Sequence, residues 1–119
     1  MLGKKSVYAA QCFAENFIGA GFGIEEDLTG KLPDEWRQFN KMFIPVYIDL
    51  HPGKSKVSAG LACGFLWTVA KGIMKGDIVL CPDGEGSYRV GEVTGDYYYT
   101  PGDILPHRRP VQWFSNAID

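Results

Sequence analysis

The sequence lacks the features that would place it in a membrane, around a metal or at a nucleophile. No apolar run approaches the ~18 residues of a membrane span. The opening stretch, MLGKKSVYAAQCF, is too polar and too short in its apolar part for a secretory signal. Cysteine is scarce: Cys12, Cys63 and Cys81 stand far apart. No C-x-x-C occurs, which argues against a zinc knuckle or a redox dithiol. An odd cysteine count fits a reducing, cytoplasmic compartment. The two histidines, His51 and His107, lie in proline-flanked loops, and no serine or cysteine forms a nucleophile motif. Cys63 falls inside an apolar helix and reads as core. The expectation is a domain with no catalytic residue, no metal and no cofactor.

Two further absences remove tempting motifs. PGKS at 52–55 is not a phosphate loop, because the first glycine of that pattern would fall on Ile48. Asp83 and Glu85 are not followed closely by a lysine, as a metal-dependent nuclease would require; the next basic residue is Arg89. They read as turn acids. Repeats and low-complexity stretches are absent too. A net charge of −2 argues against coating nucleic acid by bulk attraction, while leaving room for a local basic face.

What is present is an ordinary globular composition. The chain has 119 residues, 45% apolar and 22% charged, enough for one domain around a single core. KSVYAAQCF (5–13) and NFIGAGFG (16–23) read as strands. Gly19, Gly21 and Gly23 alternate, which permits close approach of a backbone or a ligand. PDEWRQFNKMF (33–43) reads as a helix with Pro33 at its first position and Asp34 and Glu35 in its first turn. Pro45 breaks or restarts that helix. Ser55 or Ser58 caps a helix over 56–73, on which Val57, Leu61, Gly64, Phe65 and Thr68 form the expected core face. A hairpin follows, with strands near 77–81 and 87–99 and Gly84 and Gly86 in its turn. RRPVQWF (108–114) is a last strand. The fold class is α+β: a small, curved or barrel-like mixed sheet with helices packed on one side.

Aromatic and basic residues interleave in two places. Trp67 shares a helix side with Lys56, Gly60, Cys63 and Lys71. That side is either a base-stacking surface beside phosphates or a second core face. Trp36, in a polar turn, reads as an anchor. In the stretch GDYYYTPGDILPHRRPVQW, Tyr97 and Tyr99 point one way and Tyr98 the other. Arg108 and Arg109 likewise diverge: one suits a phosphate contact and the other a structural role.

GFG after an early strand, a helix running into KGDIVLCPDGEGSYRVGEVTGDYY, and then HRRPVQW resemble, in that order, the PUA-like superfamily, particularly its EVE and YTH domains. The variant they most resemble is the N-terminal targeting domain of modification-dependent (type IV) restriction endonucleases of the Mrr and McrBC kind. The resemblance covers about residues 6–118, and the tail VQWFSNAID looks like the point where such proteins continue. It implies a single recognition domain, 1–119, excised from a longer protein of phage defence. Such a domain binds double-stranded DNA, flips out a modified or methylated base and holds it in an aromatic pocket. It is not itself the enzyme, and its other partners are domains or subunits of the restriction complex. By position, the base pocket would be drawn from Phe22, Trp36, Trp67, Asp96, Tyr97 and Tyr99. Phosphates would meet Lys54, Lys56, Lys71, Arg108 and Arg109. An RNA reader of the same fold, and a small-molecule or protein-interaction module, are the alternatives.

Overall fold

A computed structural model of the chain describes residues 2–82 and 86–118, with side chains over 9–82 and 86–114. The turn residues Asp83, Gly84 and Glu85 lie outside the described residues. The architecture is α+β. In order come α1 (Leu2–Glu15), β1 (Phe17–Ala20), α2 (Trp36–Leu50), α3 (Lys56–Trp67) with a π-helical turn at Thr68–Gly72, β2 (Ile78–Pro82), β3 (Tyr88–Val93), β4 (Tyr98–Tyr99) and β5 (His107–Ile118). The strand order is β1-β5-β3-β2, with β4 pairing to β5. Two compact units can be distinguished. One holds residues 1–18, 74–96 and 109–119; the other holds 19–73 and 97–108.

The first unit is a sheet under a helix. β2 and β3 form the expected antiparallel hairpin, from Ile78 opposite Glu92 to Pro82 opposite Tyr88, but the second strand ends at Val93 rather than reaching 99, and Tyr98–Tyr99 pair with β5 instead. β3 pairs antiparallel with β5, Val93 facing Val111 and Gly91 facing Trp113. The segment 5–13, expected as a strand, is part of α1 instead. Ala9, Cys12 and Phe13 explain the difference: they repeat at i, i+3 and i+4, and Ala9 and Cys12 are buried. Alanines and Gln11 add helix propensity that a short apolar run conceals. α1 covers one sheet face. The Trp113 indole N–H donates to the Cys12 carbonyl at 2.9 Å. Phe13 meets the Trp113 ring edge-on at 4.9 Å, and the Arg89 guanidinium stands 4.9 Å above the Phe13 ring. On the opposite face Ile78, Leu80, Tyr88 and Phe114 are exposed.

The second unit is built on the α2–α3 pair. Its core joins Phe39, Phe43 and Tyr47 of α2 to Ala59, Ala62, Cys63 and Leu66 of α3, with Ile24 and Leu28 from the loop before α2. α2 begins at Trp36, so Pro33, Asp34 and Glu35 precede it. Segment 32–34 is tied to the end of α3, as described below, which holds it off the helix. Pro45 neither breaks nor restarts α2. An interior proline costs ~3 kcal/mol. Burying Phe43 and Tyr47, one turn apart on the same face, offsets that cost. Ser55 caps α3, its hydroxyl accepting from the Ser58 N–H at 3.1 Å.

The core face of α3 is the reverse of the one expected. Val57, Leu61 and Phe65 are 74%, 73% and 52% exposed, while Ala59, Ala62, Cys63 and Leu66 are buried. The helix is apolar nearly all round, so periodicity does not choose a side. Size does. The bulky aromatics of α2 leave room for small residues opposite, and alanine and cysteine fill it.

Candidate functional site: a cleft between two strained turns

The second unit contains a cleft of about 180 Å³. Gly21, Gly23, Ile24 and Glu25 line one side; Tyr99, Asp103, Leu105 and Pro106 line the other. Both walls carry strained backbone. Phe22, between the lining glycines, has φ 56°, and Leu105 has φ 45°. Non-glycine residues adopt this left-handed region at a cost, and such strain gathers at ligand clamps and active sites. Gly23, at φ 76°, takes the same conformation without a Cβ penalty.

Polar side chains hold each turn in place. His51 Nε2 lies 2.6 Å from the Phe22 carbonyl and donates to it. His107 is wholly buried, and its Nε2 donates to the Ile24 carbonyl at 2.6 Å. The two histidines thus grip carbonyls two residues apart in one wall. The other wall is gripped by Arg108, whose Nε and Nη2 donate to the Leu105 and Ile104 carbonyls, each at 2.9 Å. Nη2 also meets the Asp103 carboxylate at 3.3 Å. Burial lowers the pKa of His107 below its ordinary value, so its neutral form is favoured. Burial also pushes the Tyr97 hydroxyl up to about 12.

The residues singled out from the sequence separate into three groups. Tyr99 lines the cleft; the Phe22 ring does not, since it packs on Tyr47 and Phe65 against the core, and only the turn around it contributes. Several others hold backbone in place. The Tyr97 hydroxyl lies 2.8 Å from His107 Nδ1 and accepts from the Leu28 N–H at 3.0 Å. The Trp67 indole N–H donates to the Pro33 carbonyl at 2.9 Å, and Lys71 Nζ reaches the Leu32 carbonyl and the Asp34 carboxylate at 3.0 and 3.1 Å. Of the two readings of the Trp67 side, the second core face is the one observed: Cys63 is buried there, and Trp67 packs on the core. Arg108 and Arg109 are each 4% exposed, and Arg109 Nε donates to the Gly95 carbonyl at 2.9 Å. Neither arginine presents its guanidinium at the surface; both spend donors on backbone carbonyls instead. The remaining candidates are exposed: Trp36, with Arg37 over its ring at 5.3 Å, and Lys54, Lys56 and Asp96.

Sequence reading set His51 and His107 aside as non-catalytic and passed over Leu105, Glu25 and Asp103. The available signal was the pair of histidines, each beside a proline, together with the alternating glycines at 19–23. Among the described residues no group of three or more His, Cys, Asp or Glu is placed to hold a metal ion. Nor, among the described residues, is any helix long and apolar enough to cross a membrane. Burial pushes the Cys63 thiol up to about 11, which keeps it protonated and unreactive, in keeping with its core position.

Comparison with curated proteins and with solved structures gives no match. Residues 2–119 match the family described as a domain of unknown function (DUF8426), and the chain belongs to that family.

Proposed function

We propose that this domain is a recognition module that takes one modified base of a DNA duplex into the cleft beside Tyr99. The observation that carries the reading is the cleft itself, bounded by two strained turns and by Tyr99. Its size suits a single base better than a drug-sized ligand, whose pockets run ~300–1,000 Å³. Tyr99 supplies a ring face for stacking, and a methyl group on the base adds apolar area to that contact. The carboxylates of Glu25 and Asp103 are acceptors suited to an exocyclic amine. In this reading Lys54 and Lys56, exposed at the start of α3, meet phosphates. Catalysis would be supplied by other domains or subunits of a restriction system.

The test is fluorescence anisotropy with matched duplexes that are unmodified or carry N6-methyladenine, 5-methylcytosine or 5-hydroxymethylcytosine. Stacking worth ~1–3 kcal/mol per base sets the expected loss in Tyr99→Ala at roughly 5- to 150-fold. Preference for one modified duplex, lost in that variant, supports the reading. No binding to any duplex at low salt overturns it, and an RNA panel follows. A second reading, a protein-interaction module, is favoured by the exposed stripe of Val57, Leu61 and Phe65. Leu61→Lys separates the two: it leaves duplex binding intact if the cleft is the site.

A further inference from the structure

We infer that Tyr97 and His107 are positioning residues for the cleft: their hydrogen-bond chain sets the loop from Ile24 to Leu28, and protonation of His107 loosens its Leu28 end. The inference rests on the reading of the cleft as a binding site.

The direction of the chain follows from what each atom can do. A carbonyl oxygen has no proton, so the 2.6 Å contact with the Ile24 carbonyl requires one on His107 Nε2. In the neutral ring Nδ1 is then bare. It faces the Tyr97 hydroxyl at 2.8 Å, and the hydroxyl donates to it. With its proton so directed, the phenol oxygen accepts the Leu28 N–H at 3.0 Å. One amide, one hydroxyl, one ring and one carbonyl are therefore joined in a single sense. Both ends of the chain lie in the loop, and Ile24 lines the cleft.

A second proton on His107 can go only to Nδ1. The Tyr97 hydroxyl then turns its proton away and accepts from Nδ1, so its oxygen is shared between that donor and the Leu28 N–H and the Leu28 bond weakens, while Nε2 keeps the Ile24 carbonyl. The groups facing the ring are Tyr97, just before β4, and Tyr99 of β4, with ring centroids at 5.9 and 5.2 Å, and the Glu26 and Asp27 carboxylates of the loop. The carboxylates favour the charged ring and burial opposes it more strongly. Arg108, next in β5, directs its guanidinium to the Ile104 and Leu105 carbonyls.

The experiment is amide hydrogen exchange on the full chain, from neutral pH down to ~pH 4, below the ordinary histidine range because burial lowers the pKa of His107. The rates are corrected for the intrinsic pH dependence of exchange. Protection of the Leu28 amide falls by roughly tenfold in Tyr97→Phe, the weight of one ordinary hydrogen bond. In the unaltered chain it falls as His107 gains its proton; in Tyr97→Phe that pH dependence is gone. Side-chain nitrogen shifts place the neutral proton on Nε2. Leu28 protection indifferent to both Tyr97→Phe and pH overturns the inference, as does a neutral proton on Nδ1. Binding distinguishes this failure from failure of the function. If a modified duplex binds through Tyr99 and Tyr97→Phe leaves its affinity unchanged, the positioning role is refuted and the reader stands. If no oligonucleotide binds at any pH, the reader falls, while the exchange result decides the chain by itself.

Discussion

Gly91 offers the sharpest test of the packing described above. It lies in β3 opposite Trp113. A methyl group on it would stand 2.5 Å from Val111 Cγ1 and 2.7 Å from Trp113 Cε3. Carbon atoms pack best at ~3.5–4.0 Å, so both neighbours must retreat by about 1 Å. Neither is free to do so. Val111 is 2% exposed, and its N–H donates to the Asn16 carbonyl at 3.0 Å. Trp113 is pinned by its bond to Cys12 and by the edge-on contact with Phe13. Overpacking of this kind costs ~1–3 kcal/mol, and a strained or lost Trp113 hydrogen bond adds ~0.5–1.5. Gly91→Ala is therefore expected to destabilise the chain by about 2–4 kcal/mol, a fall in Tm on the order of 10 °C for a chain of this size. Gly64→Ala is the control. Its added methyl meets nothing within 4 Å, and the residue is inside α3. The change should stabilise by ~0.5–1 kcal/mol, because alanine loses less entropy in a helix. Urea midpoints with unchanged slopes would measure both. A Gly91→Ala protein within ~0.5 kcal/mol of its parent, the scatter of ordinary surface changes, would refute the reasoning about β3 and Trp113.

Two other outcomes follow from the second unit. Leu61→Lys should change stability by no more than ~0.5 kcal/mol, since Leu61 is exposed, whereas Leu66→Ala, from a fully buried site, should cost ~2–5. The reverse ranking in urea denaturation would restore the face that the sequence suggested. Acid should weaken the fold through His107, whose pKa is lowered by burial. Below the ordinary histidine value of ~6.5 the unfolded chain binds a proton that the folded chain refuses. Stability then falls with decreasing pH, by at most ~1.4 kcal/mol per unit, until the folded value is reached. His107→Gln should flatten that slope in a pH series of urea midpoints, and an unchanged slope would argue against it.

How far the sequence could be read depended on whether local chemistry or side-chain volume decided the outcome. The hairpin of β2 and β3, the Ser55 cap and the last strand were legible, because turn glycines, a capping hydroxyl and an apolar strand pattern act locally. α1 was misread as a strand because its apolar residues cluster, and the spacing of Ala9, Cys12 and Phe13 was masked by their neighbours. The inward face of α3 was illegible, since choosing it required knowing that Phe39, Phe43 and Tyr47 would lie opposite. The cleft was half legible. Alternating glycines marked one wall and the tyrosine run the other. The arginines gave no sign that they would turn inward to hold carbonyls, because a guanidinium can donate to a phosphate or to a carbonyl and the sequence does not choose between them.

One strand of the first unit bears on how the protein behaves in concentrated solution. β2 ends the strand order, so one of its edges carries backbone groups with no neighbouring strand among those described. Its apolar run, Ile78 to Leu80, carries no charge, and Ile78 and Leu80 are 59% and 63% exposed. Natural edges are usually blunted by lysine, proline or a bulge. Here Pro82 guards only the far end. The strand is therefore the place where misassembly would begin, as edge-to-edge growth whose rate climbs with concentration. A lysine at position 80 would trade a leucine that supports no core for a longer shelf life, without touching the cleft residues of the other unit.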